Sequence, residues 1–285
     1  MRLFVTGGNG FVGTHFMRAA LGAGHRLTAI SNAPTAGILH VEQTESLVWI
    51  DRRLDQVTEV DLLDHDTLVH FASYGVSPKP CTWGKAYQIN VLDGLELIVR
   101  AAKSGIRRVI LSGSCVEYGK SAENYEAIPP DAPLRPLGAY ASSKAAMSIA
   151  ATALCRELGL ELAILRLFTV FGEGQYEGNF WPSLRKAALA GEDFAMSSGE
   201  QIGDFIPVEK AVDSFLQALT TPISPDHPLI ANIGTGRAQT LREFAKTWWE
   251  HWNARGRLHI GARAYRSTDV MRYVPQVTPI VTNTD

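Results

Sequence analysis

The residues best suited to acid–base catalysis are Tyr140 and Lys144. They are separated by three residues in the segment Tyr-Ala-Ser-Ser-Lys. On a helix, residues four apart share one face, so the phenol and the ammonium group should be neighbours. A nearby cation stabilises the phenolate and should lower the pKa of Tyr140 toward the range of a general acid or base. Ser114 ends a predicted strand, where its hydroxyl should point into a ligand crevice and donate to a substrate oxygen. These three residues form the candidate catalytic group.

A glycine-rich segment, TGGNGFVG at 6–13, lies between a predicted strand and a predicted helix. Gly7 permits a tight turn, Gly10 lets the backbone approach a pyrophosphate, and Gly13 allows close packing of the helix. The helix N-terminus, at Phe11 and Val12, offers free N–H groups and a positive dipole end to phosphates. In this position the motif predicts a dinucleotide site in preference to a purely structural turn.

The end of the second predicted strand bears on which dinucleotide is bound. An acidic residue there would bind the ribose 2′-hydroxyl of NAD and repel the 2′-phosphate of NADP. The chain has Ser31 and Asn32 instead, which favours NADP, but no arginine follows directly to hold a phosphate, and NAD stays open. Asp51, after the third strand, is a candidate acceptor for the adenine amino group; the alternative is a solvated turn aspartate.

Apolar runs and helical patterns alternate through the first part of the chain, which predicts an α/β fold with a doubly wound parallel sheet covered on both faces. The predicted strands are 3–5, 27–30, 47–50, 67–71, 108–111 and 162–165, and the predicted helices are 11–24, 87–102 and 140–158. Residues 1–170 are therefore expected to form the dinucleotide-binding domain. Residues 171–285, with helices near 210–219 and 241–252, are expected to form a smaller substrate lobe that is interleaved with the first domain.

The composition excludes several classes of protein. With 285 residues, 46% hydrophobic and 20% charged, the chain has ample material for a core and is not a disordered sequence. A formal charge of −2 argues against nucleic acid or an anionic membrane as a partner. Three scattered cysteines and eight histidines without metal-ligand spacing predict neither disulfides nor a metal site. Without a recognisable signal peptide or membrane span, we expect a cytoplasmic protein.

Several further segments accompany these motifs in a fixed order along the chain. They are HFAS at 70–73, YQINVLDG at 87–94, LSGSCVEYG at 111–119, YASSK at 140–144, LRLFTVFGEGQ at 165–175, GEQIGDFIPVEKAV at 199–212 and NIGTG at 232–236. With the glycine-rich segment, they resemble the extended short-chain dehydrogenase/reductase family, in its branch of nucleotide-sugar epimerases, dehydratases and ketoreductases.

The resemblance implies a Rossmann-type domain, bound NAD or NADP, and a nucleoside-diphosphate sugar as substrate. It assigns catalysis to Ser114, Tyr140 and Lys144, of which Tyr140 and Lys144 are also expected to contact the cofactor, and it places Asn179 near the substrate diphosphate. It also implies a homodimer formed by the helices that hold residues 87–102 and 140–158.

Three departures from the family pattern narrow the chemistry. Sugar 4,6-dehydratases of this kind place an acidic pair directly after the catalytic Ser or Thr, where this chain has Cys115 and Val116. Glu117 is one residue late, and in an extended segment its side chain would face the opposite side, so dehydration is disfavoured.

The diphosphate contacts also differ. Gly203 stands where relatives have an arginine that meets the diphosphate, which removes a charge-assisted contact of roughly 1.5–3 kcal/mol. Arg266 is the candidate for the other half of this clamp, with an exposed solvated arginine as the alternative. Thr169 replaces a usual asparagine, so one substrate hydrogen bond is in doubt.

The sequence therefore favours an NAD(P)-dependent 4-ketoreductase of a nucleoside-diphosphate 4-keto-6-deoxy sugar, with Tyr140 as the proton donor. The first alternative is a 4-epimerase that uses the same residues with tightly bound NAD. The second, from another class, is a non-catalytic regulator or binding subunit that senses a dinucleotide.

Overall fold

Seven parallel strands form the central sheet of this computed structural model, which describes residues 1–31, 41–76, 81–265, 270–277 and 279–280. Numbered along the whole chain, these strands are β1 (Arg2–Thr6), β2 (Arg26–Ser31), β3 (Leu47–Asp51), β4 (Thr67–His70), β5 (Arg108–Ser114), β6 (Glu161–Leu167) and β11 (Leu229–Ile233). Their order across the sheet is β3-β2-β1-β4-β5-β6-β11. The order reverses between β1 and β4, and ligands bind at the carboxyl ends of strands beside such a switch point.

Helices cover both faces of this sheet. The eight α-helices of the described chain are α1 (Phe11–Gly22), α2 (Glu59–Leu62), α3 (Trp83–Tyr87), α4 (Asp93–Lys103), α5 (Gly138–Glu157), α6 (Phe180–Ala190), α7 (Val208–Thr220) and α8 (Leu241–His251). Helices α1 and α7 share one apolar core with the sheet, and α4 and α5 share the core on its other face.

Strand β1 shows why the apolar runs fold this way. Leu3 and Val5 point into the core with α1 and α7, whereas Phe4 points into the core with α4 and α5. All three side chains are fully buried. A strand buried on both faces needs a continuous apolar run, and this confirms the predicted doubly wound α/β sheet.

The second half of the chain contributes to two places in the molecule. Strand β11 and helix α7 complete the central sheet and its cover. The remaining short strands form two- and three-stranded sheets: β7 (Thr169–Phe171), β8 (Phe194–Met196), β9 (Ile202–Gly203), β10 (Phe205–Pro207), β12 (Gln239–Thr240), β13 (Leu258–Ile260) and β14 (Arg272–Tyr273). Helices α6 and α8 pack together in a separate aromatic core. A domain division at residue 170 stays a prediction.

No helix in the described ranges combines the length and the apolar character that crossing a bilayer requires.

Candidate functional site

The turn between β1 and α1 can be built only with glycine. Gly7 has a φ of +71°, and a Cβ there would overlap the backbone of Ala72. A Cβ at Gly13 would overlap the carbonyl oxygen of Gly7. At Gly10, by contrast, a Cβ would meet only one atom within 4 Å, so this position is open toward its surroundings. The N–H groups of the first helical turn, beginning at Phe11, have no partner within the helix. This backbone is compatible with the dinucleotide phosphate that the sequence predicts here, and that binding site stays a prediction.

The other predicted cofactor residues lie at the carboxyl ends of β2 and β3. Ser31 and Asp51 are paired in register, and the Ser31 hydroxyl accepts a hydrogen bond of 2.8 Å from the side-chain amide of Asn9. Ser31 is buried and Asp51 is exposed. The predicted contact at Asn32 lies outside the described residues. The two described side chains are thus adjacent at the sheet edge, on the side of the glycine turn.

Tyr140 lies on the first turn of α5, on the wall of a cavity of about 520 Å³. The other side of this cavity is formed by the short strands of the second half, including Gly203 of β9 and Phe205 of β10. Its lining, within the part of the chain that the structure describes, contains no Asp, Glu, Lys or Arg side chain. The cavity therefore provides mostly apolar walls, with the Tyr140 phenol as one of its few polar groups.

The pKa of Tyr140 is raised well above its ordinary value. Burial is the main cause, and the negative charge of Glu117 adds to it. Hydrogen bonding with the side chains of Ser73 and Ser114 acts in the opposite direction. The sequence predicted a lowered pKa from the neighbouring Lys144, and that prediction is wrong in direction because burial and the carboxylate prevail. The phenol therefore keeps its proton.

Lys144 lies one turn further along α5 and is also buried. Its ammonium group donates a hydrogen bond of 2.6 Å to the carbonyl oxygen of Ser112, which ties α5 to the end of β5. Burial lowers the pKa of Lys144, and the charge of Glu117 opposes this shift.

His70, at the end of β4, is a packed histidine. Its Nδ1 lies 2.7 Å from the hydroxyl oxygen of Thr6. Burial, assisted by the positive charge of Lys144, lowers the pKa of His70 to about 3. The imidazole is therefore neutral at physiological pH.

Ser114 ends β5 as predicted, but the residues after it are not extended. Cys115–Glu117 form a 3₁₀ turn, and the backbone N–H of Ser114 donates a hydrogen bond of 2.7 Å to Glu117. The expectation of an extended segment after Ser114 is therefore wrong, and Glu117 is not part of the described cavity lining beside Tyr140. Its carboxylate is fully buried and lies 2.9 Å from the Nε atom of Arg166. The spacing Ser-x-x-Glu, which is typical of a capping box, is a sequence signal that would have indicated this turn.

Asn90 organises the backbone on the other side of Tyr140. The predicted helix over 87–102 is divided here by a π-helical turn, Gln88–Leu92, between α3 and α4. The Asn90 amide donates hydrogen bonds of 2.9 Å to the carbonyl of Tyr74 and to the hydroxyl of Ser143. Its side-chain oxygen accepts a hydrogen bond of 2.7 Å from the Tyr74 N–H. These contacts fix the segment that carries Ser73.

The predicted substrate residues are not all brought together. Asn179 is the residue before α6 and is half-buried, but it is not part of the cavity lining beside Tyr140. Thr169 and Gly203 do line that cavity. Arg266 lies outside the described residues.

Sequence reasoning missed other residues of the cavity. Tyr273 is brought there by the parallel pairing of β14 with β9, and Gln201 precedes β9. The side-chain oxygen of Gln201 is buried and has no hydrogen-bond partner among the described atoms. Cys81 also lines the cavity. No local pattern in the sequence indicates these residues, because distant segments pair to bring them together. Across the described ranges, no three His, Cys, Asp or Glu side chains are grouped as metal ligands would be.

Comparison with known proteins places this geometry in context. Residues 3–234 match the NAD dependent epimerase/dehydratase family. A UDP-glucose 4-epimerase of Azospirillum brasilense is 28% identical over 269 residues, which cover 86% of this chain and 76% of that protein. UDP-arabinose 4-epimerase 1 of Arabidopsis thaliana is 24% identical over 278 residues, which cover 86% of this chain and 65% of that protein. The structure of MoeE5 in complex with UDP-glucuronic acid and NAD superposes with a TM-score of 0.85 at 28% identity, covering 97% of this chain and 90% of that one.

Proposed function

The chain belongs to the NAD dependent epimerase/dehydratase family, and on that premise we propose that it catalyses hydride transfer at C4 of a nucleoside-diphosphate sugar. The direction proposed is reduction of a 4-keto-6-deoxy sugar. The observation that supports this direction is the place of Tyr140 on the wall of a largely apolar cavity, where burial and the charge of Glu117 raise the pKa of its phenol. A phenol that keeps its proton is suited to protonate the oxygen of a carbonyl as that carbonyl is reduced.

The proposed roles of the other side chains follow from their contacts. Ser114 ends β5 and its side chain acts to lower the pKa of Tyr140, so we assign it to orient the sugar oxygen beside the phenol. Lys144 supplies a positive charge one turn along the same helix and is assigned to the cofactor ribose. The largely apolar cavity suits a sugar that lacks a hydroxyl. Asn179 and Arg266 are kept as proposed contacts for the substrate diphosphate.

The proposed cofactor site is the turn that contains Gly7, Gly10 and Gly13, followed by Phe11 and Val12 at the start of α1. When bound, the dinucleotide supplies the hydride or accepts it. NAD is the better supported form, because the MoeE5 structure contains NAD, and the comparisons reported above do not support the preference for NADP that Ser31 and Asn32 suggested. Ser31, Asn32 and Asp51 are the proposed contacts for the adenosine half.

A 4-epimerase is the second candidate, and the relatives favour it: two of them are named as 4-epimerases of UDP-sugars. Epimerisation would use the same three residues, but Tyr140 would first have to accept a proton from the sugar hydroxyl. The raised pKa of Tyr140 does not by itself support that first step, because a protonated phenol is not a base.

The absorbance of the reduced nicotinamide distinguishes the candidates. The protein is mixed with NADH, and separately with NADPH, against a panel of nucleotide-linked 4-keto-6-deoxy sugars and against UDP-glucose. Stoichiometric loss of reduced cofactor supports the reductase and identifies the cofactor. Conversion of a sugar to its C4 epimer without net loss supports the epimerase. Cofactor binding with neither result contradicts both and favours the dinucleotide-sensing regulator.

A further inference from the structure

Glu117 connects three elements around the proposed site. One carboxylate oxygen accepts a hydrogen bond of 2.7 Å from the backbone N–H of Ser114, at the end of β5. The other oxygen accepts hydrogen bonds from the Ser148 hydroxyl of α5, at 2.7 Å, and from Nε of Arg166 on β6, at 2.9 Å. Because Glu117 is 0% exposed, water does not compete for these contacts.

Arg166 is held just as firmly, so the pair has little freedom to rearrange. Its Nη1 atom donates hydrogen bonds of 2.9 Å to the Tyr118 hydroxyl and 2.7 Å to the carbonyl of Pro130. The Tyr118 hydroxyl in turn donates a hydrogen bond of 2.6 Å to the side-chain oxygen of Asn232, on β11. A buried ion pair is costly unless its polar atoms have further partners, and here both carboxylate oxygens of Glu117 and the Nη1 atom of Arg166 have them.

The position of this carboxylate matters because α5 carries the proposed catalytic residues. Ser148 is one helical turn beyond Lys144 and two turns beyond Tyr140, so the bond to Glu117 fixes the same helix. Ser114 is fixed by the same carboxylate from the side of β5. A shift of Glu117 would therefore change the separation of Ser114 from Tyr140.

We propose that Glu117 is a positioning residue, which joins the turn carrying Ser114 to α5 and presents a fixed negative charge to Tyr140 and Lys144. The tests of this assignment that measure turnover rest on the proposed function, whereas the test that measures the ionisation of Tyr140 does not. The charge of Glu117 favours the neutral phenol and the charged ammonium, and it acts in those directions on the pKa values of Tyr140 and Lys144. Among the described residues, the titratable groups near this pair include Cys115 and Glu117 on the turn, Arg166 on β6, His70 on β4, Cys81 before α3 and Tyr273 on β14.

Two substitutions test the charge of Glu117 and the length of its side chain separately. Glu117→Gln keeps the shape but removes the charge and, because an amide NH2 group cannot accept, at least one of the three hydrogen bonds, so Tyr140 should ionise at a lower pH than in the wild type. Ultraviolet absorbance of tyrosinate measures this, with Tyr140→Phe in each background isolating the signal of Tyr140. Glu117→Asp keeps the charge, but its shorter side chain cannot reach Ser114, Ser148 and Arg166 together. It should lower kcat with KM little changed, and leave the alkaline limb of the pH profile in place.

Glu123→Gln is the matched control, because Glu123 is exposed and lies six residues further along the same segment. It should match the wild type in both readouts. If Glu117→Gln shows no earlier ionisation of Tyr140 than the wild type, or if Glu117→Asp retains the wild-type kcat, the proposal is overturned.

Cofactor binding shows whether each Glu117 variant is folded. If one of them does not fold, a milder substitution tests the same proposal. Ser148→Ala removes one hydrogen bond to Glu117 and leaves all charges in place. It should lower kcat without moving the ionisation of Tyr140, and an unchanged kcat would contradict the positioning role. A wild-type protein that turns over no sugar would defeat the proposed function alone, since the absorbance titration of Tyr140 still tests the role of Glu117.

Discussion

Among single side chains, Tyr140 is half-buried and lies on the cavity wall. Tyr140→Phe removes only the hydroxyl, so we expect turnover to fall by about 10²–10⁴-fold, the usual contribution of a general acid. Cofactor affinity, measured by titration calorimetry, should stay within a factor of about two, because the glycine turn is unchanged. Tyr87→Phe, at an exposed tyrosine of α3, is the control and should behave as the wild type. Undiminished turnover in Tyr140→Phe would exclude it as the proton donor.

His70 gives a second prediction at this scale, on stability and pH. Its pKa is about 3 in the folded chain and 6.5 in the unfolded one, so only the unfolded chain takes up this proton between those values. The free energy of unfolding should therefore fall as the pH drops below 6.5, by up to about 1.4 kcal/mol per pH unit. His70→Asn should lose this part of the acid dependence.

Urea denaturation at pH values from neutral to moderately acid measures the difference between the wild type and His70→Asn. His227→Asn, at an exposed histidine, should retain the acid dependence of the wild type. Parallel pH profiles for the wild type and His70→Asn would contradict the assignment of a neutral buried imidazole.

At the scale of a secondary-structure element, two glycines of α1 allow a matched comparison of cofactor binding and stability. In Gly13→Ala the new methyl group would overlap the carbonyl oxygen of Gly7, so the turn must open and cofactor affinity should fall at least tenfold. In Gly22→Ala the methyl group meets nothing within 4 Å, and helix propensity should stabilise the fold by about 0.5–1 kcal/mol. Calorimetric titration with NADH and thermal unfolding measure both effects. Equal cofactor affinity in the two variants would show that the glycine turn does not bind the phosphates.

The elements of the central sheet could be predicted because each depends on a local apolar pattern. The runs that contain Leu3 and Val5, or Val109 and Ile110, are buried on both faces and leave few alternatives to a parallel strand. The 3₁₀ turn that ends at Glu117 was missed although its Ser-x-x-Glu spacing indicates a capping box, whereas the burial of the Glu117 carboxylate could not be predicted, because its donors on α5 and β6 are distant in sequence. The short strands β9 and β14 were missed because a pairing of two residues is too short to show an alternating hydrophobic pattern.

At the scale of the whole molecule, the net charge of −2 gives no general attraction for an anionic substrate. Affinity for a diphosphate must therefore come from local groups where the carboxyl ends of the central strands face the second half of the chain. The cavity there has no charged side chain in its described lining. Adding one cation at its wall should have a large effect, because no existing charge competes with it.

Gly203→Arg tests this. A Cβ at Gly203 would make only ordinary contacts, at 3.4 Å from the ring of Phe205, so a side chain can be accommodated on β9. We expect affinity for UDP to rise by roughly 1.5–3 kcal/mol, the value of a hydrogen bond to a charged group. The gain should shrink with added salt, because screening weakens partly exposed charges. Titration calorimetry at low and high salt measures it, with Gly203→Gln as an uncharged control. An equal gain in both variants would show that contact area and not charge limits binding, and no gain in either would place the diphosphate away from β9.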